Sequence, residues 1–209
     1  MNDQTSLAQG LQALRLAAER ADWNSCADAT KPLLLQLPPL QAVRLTRDFV
    51  ASRLPAFERQ QPGVHWPRNL LKAVTEEAPD SNEGAWQFED EFTGPGGNNF
   101  AKAVESLWIA SLLEDEQQRA AELMNALSEA IMTERVEHWG SRYPKEWSLW
   151  YQLVWSEEDD RLKTEIQISM LRNPEVMRLG RAGWLEVADR LEAALHQSSG
   201  SSGGSAPPP

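Results

Sequence analysis

The side chains best suited to acid–base or ligand chemistry lie between residues 134 and 155. This stretch contains a glutamate and a histidine four residues apart, followed by a dense group of aromatic rings. Clustered rings with a few polar groups are typical of small-ligand pockets. The expected pocket residues are Glu134, His138, Tyr143, Trp147, Trp150 and Tyr151. One hypothesis is therefore a helical enzyme or small-ligand binder whose pocket is lined by the 139–155 aromatic cluster.

No metal or cofactor is predicted from this stretch or from the rest of the chain. Helical di-metal sites use two copies of Glu-x-x-His, but Glu134 precedes His138 by four residues and a second copy is missing. His65 and His196 are isolated, and no phosphate-binding, dinucleotide-binding or nucleophile-elbow motif occurs. Cys26 lies on the inner side of a predicted helix, where we expect a small buried apolar residue. A single cysteine excludes an intramolecular disulfide and indicates a reducing, cytoplasmic setting.

A second candidate for function is an acidic loop with embedded aromatic residues, predicted at residues 79–99. Its proline, glycine and asparagine residues and the lack of an apolar period indicate a loop. No Lys or Arg occurs from Ala73 to Ala101. We expect the acidic and aromatic side chains to bind a basic protein partner: Glu83, Trp86, Phe88, Glu89, Asp90, Glu91 and Phe92. The alternative is that the three rings fix the loop to the core while the carboxylates face water.

Charge is divided unevenly along the chain. Residues 1–72 carry nine Lys/Arg and six Asp/Glu, whereas the remainder carries eleven and twenty-five, so the second part produces the net charge of −11. This sign argues against nucleic-acid binding, which needs clustered cations. It leaves open an acidic mimic of nucleic acid. No apolar run is long enough for a membrane span, so no membrane partner is expected.

Helices must position these candidates. Apolar residues recur at helical spacing and no segment alternates with period two, so we predict an all-α fold. The expected architecture is an irregular bundle of about seven to eight helices with one long acidic loop. It comprises a mildly basic helical hairpin plus two helices (1–78), the loop (79–99), a helical bundle packed on the first part (100–196) and a disordered Ser/Gly/Pro tail (197–209).

Two helices in this prediction carry specific expectations. Residues 40–60 are assigned to one helix, which Pro55 bends or ends. The aromatic helix that begins at Pro144 has apolar residues around nearly its whole circumference. Because a helix that is apolar all round is usually central to its bundle, we expect it to be buried.

The first helical pair carries a resemblance to known proteins. Ala21-Asp22-Trp23 at the corner, Cys26 at a small-residue position and Pro38 at the end are similar to the second half of a tetratricopeptide repeat. The same hairpin, residues 7–38, also resembles those of small helical export chaperones of the flagellar type. Ala21 replaces the glycine that usually precedes the aspartate, and the chain has no second copy. The resemblance implies a helical hairpin used in protein–protein interaction.

The lack of catalytic motifs and the acidic loop together favour a non-catalytic interaction protein of bacterial type. An adaptor, a secretion chaperone or an immunity-like inhibitor fits this description. Its expected partner is a basic protein, bound through the acidic aromatic loop, and electrostatic steering would make the association sensitive to salt. The oligomeric state is not predicted.

Overall fold

The computed structural model describes residues 2–74, 92, 94–154 and 160–201. These residues form ten α-helices and no strand, so the all-α prediction is confirmed while the expected count of seven to eight is too low. The helices are α1 (Asn2–Glu19), α2 (Trp23–Leu34), α3 (Pro39–Ala51), α4 (Leu54–Gln60), α5 (Trp66–Ala73), α6 (Gly97–Leu112), α7 (Glu116–Arg142), α8 (Pro144–Val154), α9 (Asp160–Arg172) and α10 (Pro174–Ser201).

Part of the difference in helix count arises at residues 40–60, where two helices replace one. Pro55 lies in the first turn of α4, and α3 has already ended at Ala51. A proline has no N–H to donate, and its ring clashes with the carbonyl four residues earlier, so one continuous helix is disfavoured here. The turn between α3 and α4 directs the side chain of Arg53 inward, where only 4% of the residue is exposed.

The core is organised around α6 and α7, which residues 113–115 connect. Asp115 caps α7, since its side chain accepts a hydrogen bond from the backbone N–H of Gln118 at 2.7 Å. Helix α7 also packs against α2, α3, α8 and α10. One large apolar cluster includes buried residues from α1 to α7 and from α10, so the N-terminal and C-terminal helices share a core.

The aromatic helix α8 is not central, contrary to the expectation from its composition. It packs mainly against α7 and α9, and its ring-bearing residues are only partly buried. Together with α9 and the start of α10 they cover a second, smaller apolar cluster that contains Trp139. Leu149 on this helix is 41% exposed, so α8 is not covered on all sides.

The corner between α1 and α2 is tight and strained. Ala21 adopts φ +55°, a left-handed conformation that disfavours any residue with a Cβ. This turn places Asp22 at the N-cap of α2, where its side chain accepts from the backbone N–H of Ser25 at 3.2 Å. Cys26 follows on the buried side, as predicted, and burial raises the pKa of its thiol to about 12.

Helix α10 closes the bundle against α1, α3 and α7. Arg15 in α1 pairs with Asp189 at 2.5 Å and with Glu192 at 3.0 Å. Close approach to α7 depends on a glycine, because a Cβ on Gly183 would lie 2.8 Å from two carbons of Ile131. Helix α10 continues to Ser201, so its last residues belong to the segment assigned from sequence to a tail.

Candidate functional site

Three of the residues predicted to share a pocket have partners at two separate places, the α3–α4 turn and the beginning of α10. Glu134 pairs with the buried guanidinium of Arg53, with Nε and Oε1 3.0 Å apart. Burial raises the pKa of the Glu134 carboxyl, although the Arg53 charge acts in the opposite direction. Arg53 also donates to Glu186 on α10 at 2.9 Å, so this cluster ties the α3–α4 turn to α7 and α10.

His138 and Tyr143 face the beginning of α10. His138 Nε2 lies 2.7 Å from Oε2 of Glu175, and this hydrogen bond lowers the pKa of the Glu175 carboxyl. The hydroxyl of Tyr143 accepts from Nδ2 of Asn173 at 3.2 Å. Asn173 is also the cap of α10, because its Oδ1 accepts from the N–H of Glu175 at 3.0 Å. These contacts hold the α7–α8 junction against α10.

The remaining predicted pocket residues contact one another. The rings of Trp147 and Trp150 stack with centroids 5.2 Å apart, and the ring of Tyr151 lies 6.1 Å from that of Trp147. A Cβ on Gly140 would lie 3.3 Å from Trp147 and 2.5 Å from Pro95, so this glycine allows the α7–α8 corner to close. The structure thus places these rings in a packed aromatic corner.

Of the predicted partner-binding residues, Phe92 falls within the described part of the chain. Its buried ring meets that of Phe57 edge-on at 5.2 Å, and its backbone N–H donates to Oδ1 of Asn98 at 3.0 Å. This ring therefore fixes the chain before α6 to the core. The other predicted members lie outside the described residues: Glu83, Trp86, Phe88, Glu89, Asp90 and Glu91.

A different site lies between the α1–α2 corner, α7, α9 and α10, and we name it the Arg135 groove. It is half open to solvent and its volume is about 360 Å³, within the range of small-molecule sites. Its lining residues are Ala18, Ala21, Trp23, Met132, Arg135, Leu171, Met177, Gly180, Arg181 and Trp184. The walls are mainly apolar, and none of these lining residues is acidic.

Arg135 is the unusual residue of this groove. It is 6% exposed, yet within the described part of the chain its guanidinium has no carboxylate partner and its Nε has no acceptor. Nη1 lies 3.2 Å from the sulfur of Met132, and the guanidinium carbon lies 4.6 Å from the centre of the Trp23 ring. Burial lowers the pKa of Arg135 to about 10, because the charged form has left water without a counter-ion.

Neighbouring elements hold Arg135 in this position. Gly180 on α10 leaves room for it, since a Cβ there would lie 3.2 Å from Nε of Arg135. The Trp23 ring beside the guanidinium is anchored by a hydrogen bond from its Nε1 to Oγ of Ser128 at 3.1 Å. The same ring meets Trp184 edge-on with centroids 5.3 Å apart. These neighbours fix the position of the guanidinium.

Arg135 is not among the predicted pocket residues, although the sequence contains a signal for it. It lies four residues after Ile131 and four before Trp139, and both neighbours are buried. Residues at that spacing share one helix face, so a cation stands in an apolar stripe of α7. Such a position predicts either a buried ion pair or a site for an anion.

Three remaining observations concern metal ions, membranes and known proteins. Within the described ranges, no group of three or more His, Cys, Asp or Glu side chains could hold a metal ion. None of the helices in the described part is long and apolar enough to cross a membrane. No known protein family, curated protein or solved structure matches this chain.

Proposed function

We propose that this protein is a non-catalytic binding protein and that the Arg135 groove holds its ligand. The observation that carries this proposal is the buried guanidinium of Arg135, which has no counter-ion among the described residues and belongs to a residue that lines a half-open apolar groove. Burial of an unpaired charge is unfavourable, and such departures from folding rules are expected at functional sites. The lining residues offer hydrogen-bond donors and apolar contact but no nucleophile or general base, which supports binding over catalysis.

The rim of the groove supports the same proposal. Leu171 on α9 and Met177 on α10 are 43% and 41% exposed and lie at this opening. Exposed apolar side chains at the rim of a concave surface provide contact area for a ligand. Arg181 also lines the groove, so its local charge is positive although the whole chain is acidic.

A screen of small molecules by thermal shift, followed by titration of tryptophan fluorescence, tests this proposal. The substitution Leu171→Trp fills the groove from its rim, while Ile168→Trp on the same helix adds an equal side chain at a residue that does not line the groove but is similarly exposed. Ligands are expected to stabilise the wild type and the Ile168→Trp variant but not the Leu171→Trp variant. Stabilisation that is equal in both variants, or an absence of stabilising compounds, would refute the groove as the binding site.

A second proposal concerns a basic protein partner, in the role of adaptor, secretion chaperone or immunity-like inhibitor. Residues 75–91 contain seven acids and residues 155–159 contain three, with no Lys or Arg in either segment. The two segments together carry a charge of −10, so the rest of the chain has a net charge of only −1. Concentrated charge of this kind supports electrostatic capture of a basic surface.

The second proposal is tested by capture at low and high salt. A variant with Glu89, Asp90 and Glu91 changed to their amides should retain less basic protein at low salt than the wild type. A control variant with Glu116→Gln and Glu122→Gln on α7 removes charge from another surface and should behave as the wild type. Equal capture by the wild type and the amide variant of the acidic segment would contradict this proposal.

A further inference from the structure

We infer that the ligand of the Arg135 groove is a small apolar molecule that carries one carboxylate, and that Arg135 is its counter-ion. This inference rests on the proposed function, because it assigns a chemical class to the ligand of the same groove. It is carried by three features: the hydrogen-bonding groups without partners, the balance of charge at the lining, and the apolar character and size of the groove.

Two residues that line the groove carry buried donors without acceptors. Nε of Arg135 and Nε1 of Trp184 are both buried, and neither has an acceptor within the described part of the chain. A buried donor without a partner destabilises the fold. A ligand with acceptor oxygens would satisfy such groups, whereas a ligand that only donates hydrogen bonds would leave them unpaired.

The charge at the lining favours an anion with a single charge. Arg135 is buried, Arg181 lies at the exposed surface, and no lining residue is acidic, so a cationic ligand would be repelled. A phosphate dianion normally receives several donors from a glycine-rich loop or a helix N-terminus. Here α10 contributes residues from its interior, such as Gly180 and Trp184. A carboxylate matches one planar guanidinium, which can donate to both of its oxygens.

The walls and the volume favour an apolar body of small size. Trp23, Met132 and Met177 line the groove, and its volume of about 360 Å³ is near the lower end of the ~300–1,000 Å³ found for small-molecule sites. We therefore assign the site to a free carboxylic acid. The carboxyl terminus of a protein carries the same carboxylate group. A peptide that ends in leucine is therefore included in the test to represent this alternative ligand.

The test is a titration of tryptophan fluorescence at neutral pH with three probes of equal chain length: octanoate, 1-octanol and octylamine. Wild-type protein should bind octanoate about tenfold or more tightly than octanol, since a hydrogen bond between charged groups is stronger than one to a neutral hydroxyl. Octylamine should bind more weakly than either. The leucine-terminated peptide is expected to bind more weakly than octanoate. If the peptide binds more tightly, the ligand is the carboxyl terminus of a protein and not a free acid.

Two variants locate the preference. Arg135→Met should abolish the difference in affinity between octanoate and octanol. The variant should still bind octanol, which shows that the groove itself is intact. Arg178→Met removes an exposed guanidinium of α10 that does not line the groove and should retain the preference. If octanol binds the wild type as tightly as octanoate, the inference is wrong and the groove remains a binding site. If none of the probes binds and no screened compound distinguishes the Leu171→Trp variant from the Ile168→Trp control, the proposed function fails together with the inference.

Discussion

Replacement of Arg135 by methionine should make the protein more stable. The lowered pKa of about 10 measures how strongly the fold disfavours the charged guanidinium. Relative to an ordinary arginine this corresponds to ~3 kcal/mol, at ~1.4 kcal/mol for each tenfold change in ionisation. The contact between the guanidinium and the Trp23 ring, at 4.6 Å, offsets ~1–2 kcal/mol of this cost. Methionine keeps most of the apolar volume, so we expect a gain of ~1–2 kcal/mol.

Guanidinium chloride denaturation followed by circular dichroism measures this difference. For a domain of this size the gain corresponds to a rise in Tm of ~2–8 °C. A matched control is Arg119→Met on the same helix, whose Nε donates to the carbonyl of Leu113 at 3.0 Å. Because that guanidinium is satisfied, the control variant should lose ~1 kcal/mol.

The pH dependence of stability provides a second check on the burial of the Arg135 charge. The pKa of Arg135 is lower in the folded than in the unfolded chain, so the unfolded chain binds more protons at pH values between the two. The cost of burying the charged guanidinium therefore falls only as the pH rises above about 10. The advantage of Arg135→Met should therefore be constant from neutral pH to about pH 9. A variant that is less stable than the wild type by ~1 kcal/mol would show that the stacking of the guanidinium outweighs its desolvation, and would refute this reasoning.

Three further predictions concern stability and reactivity. Ala21→Gly removes the strain of a left-handed alanine and should raise the free energy of unfolding by ~0.5 kcal/mol, a value that includes the greater flexibility of glycine in the unfolded chain. Ala21→Val should lower the free energy of unfolding by more than ~1 kcal/mol. Equal urea midpoints for the two variants would contradict strain at this position. The buried Cys26 thiol, with a pKa raised to about 12, should not react with Ellman's reagent at neutral pH until the protein is unfolded. Glu186→Gln should lose ~1 kcal/mol at neutral pH: burial raises the pKa of Glu186, but hydrogen bonds from Arg53 and Arg190 outweigh this and lower it. That stabilisation is present above the unfolded pKa of ~4.3 and disappears as pH falls through the lower folded value, so a deficit that persists in acid would exclude this cause.

Local signals in the sequence were sufficient to predict several helix ends. Helix α8 begins at Pro144, as predicted, because a proline is favoured in the first turn of a helix and disfavoured in its interior. The corner at Ala21 was likewise placed correctly. These features depend on neighbours in the chain, so they are visible without knowledge of the fold.

Features set by packing between helices were not predictable in the same way. Helix α8 has the composition of a central helix but lies at the edge, since the position of a helix depends on which neighbours cover it. Arg135 stands in an apolar stripe that the sequence displays, but an acidic partner could have come from any other helix. Only the arrangement of α2, α7 and α10 shows that no described carboxylate reaches it.

The closure of the bundle by α10 has a consequence for how the protein is made on the ribosome. Helix α10 supplies Trp184 to the core that α1 and α2 begin, so the earlier helices emerge before the surface that covers them has been synthesised. A nascent chain that stops short of α10 leaves apolar faces of α1, α3 and α7 in water, where they are prone to aggregate. These helices can therefore complete their shared core only after α10 has been synthesised.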